Sequence, residues 1–144
     1  MTINDIQDEI IDDFSALDDP MDRYQLLIDM GQEAAPLPAA DKVEQNLIDG
    51  CQSRVWIVCT EENGRLHFRA ESDALFVKGL VALVVRVMDN RTPDEILSAD
   101  LYFIRRIGLE EQLSPTRANG LLAMIKQIKM YALAYKTKMA ANAS

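Results

Sequence analysis

Cysteine is scarce in this chain of 144 residues: there are two, Cys51 and Cys59, too few for a disulfide framework. Histidine is scarcer, and His67 alone would have to serve any imidazole relay. There is no glycine-rich phosphate loop, no dinucleotide-binding fingerprint and no CxxC pair. Six glycines and five prolines are scattered through a chain that is 49% hydrophobic and 26% charged, which excludes low-complexity and disordered classes. A long apolar run is missing too. The most apolar segment, Ala74 to Met88, is shorter than the ~20 residues of a membrane span and contains Lys78 and Arg86. The acidic N-terminus has no apolar stretch of signal-peptide type, so the expectation is a cytoplasmic chain whose cysteines stay reduced.

An excess of positive charge is also absent. The net charge is −8, and Met1 to Glu33 holds ten acidic residues against a single cation, Arg23. Phosphate backbones reward clustered Lys and Arg, so nucleic acid is excluded as a partner. The acidic surface suits either solubility or a basic patch on another protein.

What is present has clear periodicity. Ile3, Ile6, Ile10, Phe14 and Leu17 recur at helical spacing, and Asp19-Pro20 opens a second helix with Met21, Tyr24, Leu27 and Ile28 on one stripe. Glu33 to Gln45 reads as a loop. Arg54–Thr60 and Arg65–Glu71 read as strands joined through Asn63-Gly64, a type I′ hairpin turn. Counting back from that turn sets Glu62 opposite Arg65, Cys59 opposite Phe68 and Ile57 opposite Ala70. Val55, Ile57, Cys59, Leu66, Phe68 and Ala70 then face the core, and Trp56, Val58, Thr60, His67, Arg69 and Glu71 face solvent. Ser72 is placed to cap a central helix from Asp73 to Met88, and Thr92-Pro93-Asp94-Glu95 forms a capping box before a short helix. Ser114-Pro115 opens a long last helix with Leu121, Ile125, Ile128 and Ala132 on its inner face. Its Lys126, Lys129, Lys136 and Lys138 are placed to complement the helix dipole. The whole chain reads as one α+β domain, residues 1–144.

Chemistry narrows to one residue. Cys59 and His67 lie on opposite faces of the hairpin, which argues against a metal site built from them. Carboxylates abound on the first two helices, where a solvated face would put them. Cys51 is different: it stands in "NLIDGCQSRVW" between Gly50 and two small polar residues, Gln52 and Ser53, just before a strand. Gly50 permits unusual backbone geometry, and successive N–H groups of such a turn favour an anion. The residues alone leave a reactive thiol and a structural one both open.

"NLIDGCQSRVW" closely resembles the signature of SufE and its paralogue CsdE, sulfur-acceptor proteins of iron–sulfur cluster biogenesis. "SDALFVKGLVALV" is similar to the family's central helix, with Asp73, Lys78, Gly79 and Leu80 matching. "LSPTRANGLLAMI" is similar to the start of its last helix, with Ser114-Pro115, Arg117 and Gly120-Leu121 matching. The resemblance implies an α+β fold with helices on one side of a small antiparallel sheet, as in IscU-type scaffolds. It implies that Cys51 accepts sulfur as a transient persulfide from a PLP-dependent cysteine desulfurase of SufS or CsdA type, stimulates that enzyme, and passes the sulfur to a SufBCD-type scaffold. PLP would belong to the desulfurase, with no cofactor bound to this chain and no independent desulfurase activity. Arg117 would lie near the cysteine loop and support its anion, while Cys59 inherits no role. The resemblance further implies that Cys51 is sheltered in an apolar hollow; with Gly50 able to hinge and apolar Val55 and Trp56 adjacent, the expectation is that Cys51 is largely buried near Arg117 and that donor binding swings its loop outward. The alternatives are a cluster scaffold and an adaptor that docks a desulfurase without using Cys51.

Overall fold

In the computed structural model, residues 1–110 and 112–143 are described. The order of elements is α1 (Ile3–Ser15), α2 (Pro20–Glu33), two 3₁₀ turns (Ala39–Asp41 and Glu44–Asn46), β1 (Val55–Glu62), β2 (Arg65–Ser72), α3 (Leu75–Met88), α4 (Pro93–Ser98), α5 (Phe103–Arg106) and α6 (Pro115–Ala143). The two strands form an antiparallel hairpin whose register pairs Ile57 with Ala70, Cys59 with Phe68 and Glu62 with Arg65. Asn63 and Gly64, at φ 55° and 79°, supply the two left-handed residues that a type I′ turn requires. The α+β class and the hairpin register therefore agree with the sequence reading.

The core forms where α3 lies between the hairpin and the other helices. Leu80, Val84, Val87 and Met88 of α3 join Ile57, Leu66 and Phe68 of the hairpin, Ile10 and Phe14 of α1, and Leu121, Met124 and Ile128 of α6. Helices α2 and α3 cross with their backbones touching. A Cβ on Gly31 would lie 2.8 Å from Gly79 N, and one on Gly79 would lie 2.5 Å from Leu27 O. Buried Gln7 fastens α1 to the start of α5 by donating to Asp100 O and accepting from Phe103 N.

Several local expectations are corrected. The central helix starts at Leu75 with Ala74 as its cap residue, so Ser72 is not the N-cap; it closes β2, and its Oγ accepts from Ala74 N. On the inner face of α6 it is Met124, at 1% exposure, that is buried, and Ile125 is only half-buried. None of the four lysines stands in the last turn of α6, where the dipole is felt; Lys129 donates to Ala99 O, Lys136 pairs with Asp94, and Lys138 lies over Tyr135. The second face of the hairpin is not all solvent-facing either. Trp56 and Glu71 are each 8% exposed, because the segment 34–46 straps across them.

Glu71 anchors that strap. Its carboxylate accepts from Leu37 N at 3.0 Å and pairs with Lys42 Nζ at 2.5 Å, while the Lys42 ammonium also lies over the Trp56 ring. Burial opposes the charge, but Lys42 and the Leu37 N–H more than offset it and hold the Glu71 pKa below its ordinary value of 4.5. A depressed folded-state pKa means that this contribution is complete above the ordinary carboxylate range and is lost as pH falls through the folded value. Thermal melting across pH should thus find Glu71→Gln less stable than the parent at neutral pH, with the two curves converging in acid. A gap that stays constant down to low pH would show that the Glu71 charge does not hold the strap.

Candidate functional site

The strap delivers the chain to the Cys51 loop, and the loop is closed at its base. Ile48 N donates to Val55 O at 2.9 Å, and Leu47 bridges to Trp56. Beyond the loop, Arg54 N donates to Asp73 Oδ1 and Asp73 N donates to Arg54 O. Only residues 49–53 lie free of these clasps. Gly50 stands among them at φ +86°, left-handed backbone that a side chain would strain.

From this loop the Cys51 side chain turns inward onto α6. Its thiol donates to the carbonyl of Gly120 at 3.3 Å. It is half-buried, short of the fuller burial that the sequence reading expects. The sulfur borders a cavity of about 550 Å³ with a two-sided lining. Val55, Val77, Leu80, Val81, Leu121 and Met124 make its apolar floor, and Gln52, Ser53, Gln112, Ser114, Thr116 and Arg117 its polar rim. Three stretches distant in sequence, the loop running into β1, α3 and the start of α6, meet here.

Arg117 is on the first turn of α6, with Ser114 Oγ accepting from its N–H. Its guanidinium donates to Gln112 O at 2.7 Å and lies 4.6 Å over the Phe76 ring. Arg117 and Cys51 share the cavity, but among the described residues no hydrogen bond joins them. Gln52 and Ser53 line the same space. The sequence reading missed the apolar floor contributed by α3 and Met124, and the Gly120 carbonyl. The spacing of Val77, Leu80 and Val81 signals a buried helix face, yet nothing local says that this face borders a cavity rather than solid core.

Burial pushes the Cys51 thiol pKa up, and the Gly120 carbonyl accepts from the protonated form. In this conformation the thiol is neutral and a poor nucleophile. Cys59 is half-buried against the core opposite Phe68, and burial pushes its pKa up to about 12. His67 is half-exposed beside Asp89 at 3.7 Å and does not line the Cys51 cavity. Among the described residues no group of three or more His, Cys, Asp or Glu is placed to hold a metal ion. None of their helices is long and apolar enough to cross a membrane.

Comparison with known proteins identifies the family. The family model SufE, described as an Fe-S metabolism associated domain, matches residues 8–132. A SufE-like protein of Rhizobium meliloti (strain 1021) is 42% identical over 127 residues, covering 85% of this chain and 91% of the relative. One of Synechocystis sp. is 35% identical over 128 residues, covering 89% and 80%. The solution structure of a hypothetical protein from Thermus thermophilus superimposes with a TM-score of 0.74 at 23% identity, covering 92% of this chain and 96% of that one. That last likeness concerns the fold.

Proposed function

Because the chain belongs to the SufE family and so to iron–sulfur metabolism, we propose that it is a sulfur acceptor, in which Cys51 takes sulfur from the persulfide of a PLP-dependent cysteine desulfurase, stimulates that enzyme and delivers the sulfur to an iron–sulfur scaffold. A SufS- or CsdA-type donor and a SufBCD-type recipient are the partners this reading calls for, and PLP stays with the donor. The observation that carries it is the placement of Cys51: a thiol on a short clasped loop, beside a cavity with an apolar floor.

The chemistry divides between two positions of the loop. Turned inward, the thiol is protonated and shielded from oxidants. Turned outward, it loses the Gly120 acceptor and its apolar cover, so its pKa falls and thiolate forms. The thiolate attacks the outer sulfur of the donor persulfide; a new S–S bond forms on Cys51, the donor's S–S bond breaks, and the donor cysteine leaves as thiolate. Arg117 and the polar rim give the open anion a cationic border. On return, the added sulfur has the floor of Val77, Leu80, Val81 and Met124 to rest against.

The direct test mixes the protein with a desulfurase, cysteine and PLP, then locates added sulfur by peptide mass spectrometry. One extra sulfur on the Cys51 peptide is the expected result, and an unmodified Cys51 in a mixture with an active desulfurase would overturn the reading. The two loop positions add a kinetic expectation. Iodoacetamide should label Cys51 slowly in the protein alone and about tenfold or more faster once a desulfurase is present, because each unit by which the pKa falls raises the thiolate fraction tenfold. Equal, rapid labelling in both conditions would mean that the thiol is not sheltered.

A further inference from the structure

Five of the six glycines have an evident reason in the backbone. Gly50, Gly64 and Gly108 adopt positive φ, and Gly31 and Gly79 let two helices touch. Gly120 has neither reason. It stands in the second turn of a 29-residue helix, where glycine is the poorest residue after proline. A Cβ at this position would have as its three nearest neighbours Cys51 Sγ at 3.4 Å and Cys51 Cα and Cβ at 3.8 Å. The Gly120 carbonyl is also the acceptor for the Cys51 thiol.

We infer that Gly120 is a positioning residue for Cys51: its missing side chain leaves the space in which the sulfur lies against α6, so residue 120 sets the balance between the inward and the outward loop. This deepens the sulfur-acceptor reading and rests on Cys51 being the residue that carries the sulfur. A locally unfavourable residue kept inside a regular helix is explained by what it makes room for. An alanine methyl would come to ordinary van der Waals contact with the sulfur and crowd it slightly. The γ carbons of valine would compete with Sγ for the same space. Because the loop is clasped at both ends and α6 is anchored by Leu121, Met124 and Ile128, the crowding is relieved by residues 49–53 moving outward.

The test follows iodoacetamide labelling of the full chain across about pH 6 to 10 for the parent, Gly120→Ala and Gly120→Val, reading the Cys51 and Cys59 peptides separately. At neutral pH, Gly120→Val should label Cys51 at least about tenfold faster than the parent, with Gly120→Ala between them, and the midpoint of the pH–rate profile should fall in the same order. Cys59 labelling should not change. Unchanged Cys51 rates and profiles in both variants would overturn the inference, as would a rise shared equally by Cys59, which signals general loosening. If Gly120→Val fails to fold, Gly120→Ala decides alone, since alanine favours the helix. No desulfurase enters this measurement. A shifted profile with no sulfur acceptance would leave the role of Gly120 standing and remove the functional reading, and the reverse result would do the opposite.

Discussion

A Cys51→Ser protein mixed with a cysteine desulfurase, cysteine and PLP is expected to gain no sulfur, whereas Cys59→Ser gains as much as the parent. The contrast follows from where the two thiols sit. Sulfur transfer needs a thiolate that can reach the outer sulfur of another protein's persulfide, and a serine hydroxyl is neither ionised nor nucleophilic enough to replace it. Cys51 is on the short stretch 49–53 that lies between the clasps of its loop. Cys59 is fixed in β1 opposite Phe68, and a pKa of about 12 leaves only about one thiolate in 10⁵ at pH 7. Cys59→Ser should instead lower stability by roughly 1–2 kcal/mol, because a hydroxyl there exchanges a soft apolar contact for a polar group facing the core. Peptide mass spectrometry and thermal melting of the two variants make the comparison. Full acceptance by Cys51→Ser, or sulfur chiefly on Cys59 in the parent, would refute the assignment.

The largest loss of stability is expected from Gly79→Ala. Alanine is the better helix former by about 1 kcal/mol, and in an open helix the change would stabilise. Here the new methyl would fall 2.5 Å from the Leu27 carbonyl oxygen and 2.6 Å from Leu27 Cγ, and a backbone oxygen inside a packed helix cannot step aside. Helices α2 and α3 must separate, opening the core around Leu27, Leu80 and Leu83. The net cost should be about 3 kcal/mol, a fall of roughly 10 °C in melting temperature for a chain of this size. Gly120→Ala makes the useful comparison, since the same substitution in another helix meets only the movable loop and should leave the melting temperature level or raised. A Gly79→Ala protein that melts no lower than the parent would mean that the two helices do not touch at this point.

The hairpin was legible because its turn is a local chemical statement. Asn63-Gly64 fixes the type I′ geometry, and every cross-strand pair follows by counting. The capping box at Thr92 is legible for the same reason, with Thr92 Oγ1 accepting from Glu95 N and Glu95 accepting from Thr92 N. What escaped was long-range. Trp56 and Glu71 sit at outward positions of alternating strands, and it is the path of the strap, which meets Glu71 from Leu37, 34 residues earlier, that buries them. Cys51 was legible as a loop residue set just before a strand, and Gly50 as the residue that permits the turn, but that the side chain turns inward was not legible locally. The partner of its thiol was not, because Gly120 lies 69 residues away and carries no side chain to announce a contact. Arg117 could be placed near the loop only through resemblance, and its engagement with Phe76 and Gln112 is set by tertiary structure.

The clasps at the base of the loop also limit how far Cys51 can travel, and with it any sulfur that the proposed reading has it carry. With Ile48 tied to Val55 and Arg54 tied to Asp73, Cys51 hangs on a leash of five residues pinned at both ends. At about 3.5 Å per extended residue, such a leash lifts its midpoint on the order of 10 Å from the posts. The chain therefore cannot probe deep into a partner's active site. On the proposed sulfur-acceptor reading, a donor must bring its own sulfur out to within this radius, on a mobile segment of its own or at the mouth of its site. Two proteins exchanging sulfur this way meet halfway, and the shorter this leash, the longer the donor's must be.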